Sequence, residues 1–285
     1  MEQDDLFGGH DLPDEFVTAL ERYGVWPTTV WECDFQDQKT KRLKRLIGDG
    51  AELRAGAGKQ NYRGADTTRI TESIFNPAVA AYILNCFAPV GGGLCFDPFA
   101  GGGTRAIMAA KHGLNYLGIE LRAEEVTAVL ARVDAAGLRG QVQIECGDSR
   151  DCTKIVADGQ ADFLMTCPPY WNLEKYGGGP NDLSMAPTYS GFLEGLTRVV
   201  RESRRVLHRG ALACWVVGLH RDKDGGLLAI NHDVANIHQD NGFALMEEIV
   251  LAHTNNGAIQ RVGMFEKGNH RLIRIHEYCL IFRAQ

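Results

Sequence analysis

The sequence predicts an α/β fold, a doubly wound, mostly parallel sheet of seven strands, and three observations carry that expectation. Seven apolar runs, near 93–98, 115–120, 142–146, 161–167, 211–218, 244–252 and 277–283, have strand character, with helical patterns between most of them. Strand and helix in alternation make right-handed crossovers, and those build a parallel sheet covered on both faces. Two of the runs also end in stretches that break pairing abruptly: Leu94–Thr104 reads LCFDPFAGGGT, and Ala161–Trp171 reads ADFLMTCPPYW. In such sheets ligands lie at the carboxyl ends of the strands, where both of these breaks fall.

Composition bounds the rest. At 285 residues and 45% hydrophobic content the chain can bury one large core with a small appendage; we divide it into an N-terminal extension over 1–70 and a main domain over 71–285. No run is long and apolar enough to span a bilayer, and the start, MEQDDLFGGHDLP, is acidic where a signal peptide would be basic and then apolar. The expectation is a cytoplasmic protein without a membrane partner, monomeric or homodimeric. Eight cysteines with no CxxC pair, several inside apolar strand runs, read as reduced core thiols and argue against a zinc site or a disulfide framework. Charge is uneven. Residues 1–38 hold ten acidic residues against Arg22 alone, and residues 39–69 hold nine basic against three acidic. The run QKTKRLKRLIGDG is either a solvated helix face or a set of phosphate contacts through Lys41, Arg42, Lys44 and Arg45. Net acidity does not exclude a polyanion, because local patches set the field at contact distance.

Taken in order, Leu12–Arg22 reads as a short helix stopped at Gly24, and Trp26–Phe35 as an aromatic-rich connection against the core. Residues 48–66, glycine-rich and polar, form a loop. SIFNP, Ser73–Pro77, opens a helix over about 78–86. The strand after it ends in Asp97-Pro98-Phe99, and Gly101, Gly102 and Gly103 then let a ligand lie against bare backbone at the N-terminus of the helical run Arg105–His112. The spacing is not GxGxxG, so a dinucleotide is not demanded. In the second break, Pro168 and Pro169 have no N–H to donate; the carbonyls of Cys167 and Pro168 are left facing outward, with Tyr170 and Trp171 offering flat faces to a base.

Together, DPFAGGGT and CPPY, about seventy residues apart, resemble the motifs of S-adenosylmethionine-dependent DNA methyltransferases that modify exocyclic amines, the N4-cytosine/N6-adenine family. The likeness runs from about Thr71 to the end and is closest to stand-alone phage and prophage enzymes. It implies a Rossmann-like methyltransferase fold with an antiparallel C-terminal strand, EYCLIFRA, pairing with ALMEEIVLAH. It also implies a cofactor pocket. Glu120, ending the second strand, would accept from the ribose hydroxyls; Asp148, beside Ser149, would accept from the adenine amine; Asp97 would meet the methionine ammonium or organise the loop. Pro98, Phe99, Ala100, Gly101, Gly103, Thr104, Leu121 and Thr166 would line the pocket, and Asn76 would close over the amino-acid end.

In this resemblance Cys167, Pro168, Pro169 and Tyr170 are the catalytic residues. An aromatic amine is a poor nucleophile, and two acceptors on its hydrogens aim its lone pair at the sulfonium methyl. One would be the Pro168 carbonyl. The other is an Asp, Asn or Ser side chain in most relatives and Cys167 here, a weak acceptor, which leaves the Cys167 carbonyl or Thr166 to take over. The base would be flipped and stacked on Tyr170. Alternatives are an RNA base methyltransferase, a carbon-5 pyrimidine methyltransferase with Cys167 as nucleophile, and a non-catalytic DNA-binding protein of the same fold. The segments left for DNA are Asn172–Ser184, Lys39–Arg69 and Asn255–Arg274, with Trp171, Arg261, Lys267, Arg271 and Arg274 as contacts; with 114 residues after Trp171, short or relaxed specificity is expected. His220, Asp222 and Asp224 lack metal-ligand spacing and read as a loop near the substrate.

Overall fold

The structure is a computed structural model, and it describes residues 28–33, 75–173, 176–222, 224–253, 268, 272 and 274–285. The expected basic contacts Lys41, Arg42, Lys44, Arg45, Arg261, Lys267 and Arg271 lie outside these residues.

Strands in chain order are β1 (Val30–Glu32), β2 (Leu94–Asp97), β3 (Asn115–Glu120), β4 (Val142–Cys146), β5 (Ala161–Thr166), β6 (Leu207–Gly218), β7 (His220–Arg221), β8 (Leu227–Leu228), β9 (Phe243–Ala252) and β10 (His276–Ala284). Helices are α1 (Pro77–Phe87), α2 (Thr104–Lys111), α3 (Ala123–Ala135), α4 (Tyr189–Val206) and α5 (Ile230–Asp240). The main sheet has the order β1-β9-β10-β6-β5-β2-β3-β4, with β7 and β8 as a separate hairpin. Pairing is parallel from β4 to β6 and between β1 and β9. Only β10 opposes its neighbours, β6 and β9. The sheet has eight strands where the sequence predicts seven. The addition comes from the aromatic-rich connection, whose Val30, Trp31 and Glu32 pair with Val250, Leu251 and Ala252; three residues are too short a run to show a strand period.

Side-chain alternation sorts the core into two layers. Cys95, Phe163, Met165 and Cys214 face the layer of α1, α2 and α3, with Ile83, Ile107 and Val129. Phe96, Leu164, Ala213 and Trp215 face that of α4 and α5, with Phe192, Leu196 and Val234. Each fully buried large side chain contributes about 1.5–3 kcal/mol, so the two layers, not the helix caps, hold the sheet. The caps fix where helices begin. Asn76 Oδ1 accepts from Ala78 N at 2.9 Å with Pro77 at the first helical position, and Thr188 Oγ1 accepts from Gly191 N at 3.1 Å.

Candidate active site

The carboxyl ends of β2, β3, β4 and β5 converge, and the glycine motif lies over them. Its Ala100 N donates to Ile119 O at 2.9 Å and its Gly101 N to Glu120 Oε2 at 3.1 Å, which ties the loop to the end of β3. The approach is close enough that a Cβ on Gly118 would meet Ala100 Cβ at 2.7 Å. Gly103 caps α2 at φ 81° with no side-chain cap, and a Cβ there would meet Val129 at 2.6 Å. The loop therefore brings bare backbone and an uncapped helix N-terminus, with its positive dipole end, to the cleft.

Asp97 does not reach outward. It is fully buried, and its carboxylate accepts from Phe99 N (3.0 Å), Thr166 Oγ1 (2.6 Å), Arg105 Nε (2.6 Å) and Tyr116 Oη (2.7 Å). Of the two roles the sequence offers, organising the loop is the one this geometry allows; four donors fill the carboxylate's lone-pair sites. Thr166 is committed in the same knot, with no exposed surface, so it is neither a pocket lining nor a substitute acceptor for an amine. Arg105, unforeseen from the sequence, sits in the core with its guanidinium 4.9 Å from the centre of the Phe75 ring, and Nη2 donates to Phe99 O. Burial works against its charge and Asp97 more than restores it, so its pKa stays above the ordinary value.

Glu120 stands at the end of β3 as expected, nearly buried, its Oε1 accepting from Arg122 N at 3.0 Å. Burial raises its pKa, opposed by Arg122 and the Gly101 N–H. Two protein donors leave lone pairs for an outside hydroxyl. Asp148 is gripped by Arg150, through Nε at 2.9 Å and Nη2 at 2.5 Å; burial pushes its pKa up, but the Arg150 bonds outweigh that and hold it below the ordinary value. Ser149 is buried and donates to Pro98 O, so it braces the motif. Leu121 packs under Gly178, where a Cβ would fall 2.6 Å away. Arg150 reaches Asn181 Oδ1 at 2.9 Å, and Asn172 N donates to Ser184 O at 2.9 Å. Residues 176–184 of the segment expected to contact DNA lie against the Glu120 and Asp148 side of the cleft, where Leu121 and Arg150 hold them.

Asn76 is buried, and its Nδ2 finds no acceptor among the described residues. Phe75, its neighbour, lies against Arg105, so this orphaned donor stands at the edge of the glycine motif. An unpaired buried amide costs about 1–3 kcal/mol. A ligand carboxylate would satisfy it.

The second loop leaves β5 beside this cleft. Cys167 and Pro169 are partly exposed, and Pro168 is buried. Tyr170 is 9% exposed and its hydroxyl donates to Glu277 Oε1 at 3.0 Å. Trp171 is less available than the sequence implies: its indole N–H donates to Ala186 O at 2.8 Å and its ring packs 5.4 Å from that of Tyr189. His220 lies 6.3 Å from the Tyr170 ring, so the HRDKDGG turn does adjoin this loop. Asp222 accepts from Gly226 N at 2.6 Å to close that turn, and no cluster of metal ligands occurs among the described residues. Burial and the like charge of Arg221 push the Arg274 pKa down.

A family model described as DNA methylase matches residues 10–131. That span includes Asn76, the glycine motif and Glu120 and stops short of Asp148 and the CPPY loop. No curated protein matches. Among solved structures the chain is similar to the [4+2]-cyclase SpnF, at 15% identity and TM-score 0.54 over 86% of this chain and 92% of that one. It is also similar to a geranyl diphosphate methyltransferase in complex with S-adenosylmethionine, at 16% and 0.51 over 73% and 85%. TrmN from Thermus thermophilus matches at 14% and 0.51 over 74% of this chain, which spans about half, 49%, of TrmN. At these identities the likeness is one of architecture: the chain has the Rossmann-like fold of methyltransferases.

Proposed function

We propose that this chain transfers a methyl group from S-adenosylmethionine to the exocyclic amine of a base flipped out of DNA, cytosine N4 or adenine N6. The observation that carries this reading is the adjacency of two loops. The glycine motif, with Glu120 and Asp148 at successive strand ends, adjoins the proline-stiffened loop of Cys167, Pro168, Pro169 and Tyr170 through the Asp97–Thr166 bond. The match of residues 10–131 to DNA methylases supports the same reading.

The residues fit the cofactor. Glu120 keeps lone pairs for the ribose hydroxyls, Asp148 offers a carboxylate oxygen to the adenine amine, and Asn76 Nδ2, which lacks an acceptor among the described residues, suits the methionine carboxylate. When bound, S-adenosylmethionine supplies an electrophilic methyl on a sulfonium. The chain then has to aim an amine. The Pro168 carbonyl accepts one amine hydrogen, and with the Thr166 side chain wholly buried the second falls to the Cys167 carbonyl or its weakly accepting sulfur. Arg221, next to His220 in β7, and Arg274, whose pKa the charge of Arg221 pushes down, are the cations we assign to a phosphate flanking the flipped base. Because residues 176–184 are engaged by Leu121 and Arg150, little of that segment is left to read bases, which supports short or relaxed specificity.

Mass spectrometry of nucleosides from DNA incubated with the protein and S-adenosylmethionine tests the reading. N4-methylcytosine or N6-methyladenine is expected; 5-methylcytosine, or product in RNA alone, would replace it.

A further inference from the structure

Across the end of the sheet nearest the CPPY loop runs a line of polar contacts that nothing in the amine mechanism requires. Tyr170 Oη donates to Glu277 Oε1 at 3.0 Å. The other oxygen of Glu277 meets His253 Nε2 at 2.9 Å, and His253 Nδ1 lies 3.4 Å from Cys33 O. Cys167 Sγ is 3.8 Å from the same phenol oxygen. In the strand order β1-β9-β10-β6-β5 these groups come from the residue after β1, the residue after β9, the second residue of β10, and the loop after β5. The line thus crosses five strand ends. It passes over Gly218, the last residue of β6, which pairs with Glu277. A Cβ on Gly218 would lie 3.0 Å from Tyr170 Oη and 3.1 Å from Cζ, so a side chain at that position would crowd the phenol where it reaches Glu277. The antiparallel course of β10 is what delivers Glu277 to the end of the sheet where the neighbouring strands finish.

We propose that Glu277 is a positioning residue for methyl transfer: it holds the phenol of Tyr170, and so fixes the ring plane and the CPPY loop, while His253 holds Glu277. This rests on the amine-methylation reading. A ring that stacks a flipped base must have one orientation, and a misplacement of about 1 Å in such a loop can cost about 10²-fold in rate. The hydroxyl is the one polar handle on the Tyr170 side chain, and tying it to a carboxylate that is itself held removes the ring's freedom to swing. The effect should therefore fall on turnover and leave cofactor binding alone.

The test uses the whole chain, radiolabelled S-adenosylmethionine and sheared genomic DNA from a methylation-deficient strain. Tyr170→Phe and Glu277→Ala should each lower kcat by roughly 10²-fold with the KM for S-adenosylmethionine unchanged. The double variant should be no slower than the worse single one, since both remove one contact. Glu277→Gln, whose amide oxygen still accepts the phenol, should stay within about tenfold of wild type. Gly218→Ala, which leaves both partners chemically intact and crowds the phenol, should lower kcat in the same direction and by less than Tyr170→Phe does. Multiplying losses in the double variant, or a Glu277→Ala enzyme as fast as wild type, would overturn the positioning role. If Glu277→Ala fails to fold, Tyr170→Phe decides alone, and a Tyr170→Phe enzyme with wild-type kcat overturns the role equally. A wild-type chain that binds S-adenosylmethionine and labels no DNA would overturn the function reading and this inference together, whereas an active wild type with additive variants overturns this inference alone.

Discussion

Thr166 donates a 2.6 Å hydrogen bond to the carboxylate of Asp97, so the residue before the proline loop and the first residue of the glycine motif are fixed to each other inside the core. Thr166→Val keeps the shape and deletes the donor, leaving a buried carboxylate with three donors. We expect a loss of about 1–3 kcal/mol in unfolding free energy, read by urea denaturation. Because both loops hang on this bond, cofactor affinity and turnover should fall as well. An unchanged midpoint would mean that Arg105 and Tyr116 suffice to hold Asp97.

Asn76 has two jobs that one substitution separates. Its Oδ1 caps α1 and its Nδ2 has no acceptor among the described residues. Asn76→Asp keeps the capping oxygen and replaces the donor with negative charge. Stability should stay within about 0.5 kcal/mol, while S-adenosylmethionine should bind at least about tenfold more weakly by calorimetry, or about 1.4 kcal/mol. Equal affinity in the two proteins would remove Asn76 from the cofactor site.

Glu120→Gln tests the ribose assignment in the same instrument. The amide still accepts from Gly101 N or Arg122 N but not from both as the carboxylate does, and it loses the charge that strengthens bonds to hydroxyls. Affinity should weaken by about 1–3 kcal/mol. In the wild type, burial raises the Glu120 pKa, so acidification should weaken cofactor binding from a pH above the ordinary glutamate range, and Glu120→Gln should flatten that dependence. An affinity identical to wild type would sink the assignment.

The sheet is legible in the sequence because its strands are apolar runs bounded by glycine and proline, and the two loops are legible because glycine and proline dictate backbone behaviour locally. Strand β1 is not, since three residues pair through a contact more than two hundred positions away. The same distance hides the supports of the site. Arg105 sits in an alanine-rich helix where an arginine ordinarily faces water, and only the fold shows that it enters the core to meet Asp97. Glu277 is the second residue of β10, 107 positions from Tyr170. The motifs point to Asp97 and Thr166 as site residues, but whether a carboxylate faces a ligand or four protein donors is a matter of packing that sequence spacing does not encode.

His238 supplies a pH dependence of stability unrelated to catalysis. It is fully buried, stacked at 3.9 Å on Phe282 and at 4.6 Å from Trp215. Burial pushes its pKa from 6.5 down to about 3, against a small opposing effect of the Val234 carbonyl. The folded state therefore refuses a proton that the unfolded chain accepts below pH 6.5. Above that pH the protonation of His238 adds no penalty; as pH falls towards 3 stability is lost, by about 1.4 kcal/mol per unit. His238→Phe should remove this component, read as the difference between the two proteins' unfolding free energies across pH 4–8. Parallel curves would mean that the ring is solvated more readily than its packing implies.

Cys167 decides between two chemistries. Its sulfur, partly exposed and 3.8 Å from the Tyr170 hydroxyl, is a weak acceptor for an amine but would be a competent nucleophile towards a pyrimidine ring. Amine methylation needs only acceptors, and the main-chain carbonyls of Cys167 and Pro168 are present whatever the side chain. Cys167→Ser adds a better side-chain acceptor of similar size, so an amine methyltransferase should keep its kcat within about tenfold or gain. Carbon-5 chemistry proceeds through a covalent sulfur–carbon bond, and serine at neutral pH would abolish it. The substitution is conservative and partly exposed, so both proteins should fold, which unchanged thermal stability and cofactor affinity would verify. Steady-state transfer to DNA then separates the two chemistries. Retained amine methylation supports the reading proposed above, and complete loss with cofactor binding intact assigns Cys167 the role of nucleophile.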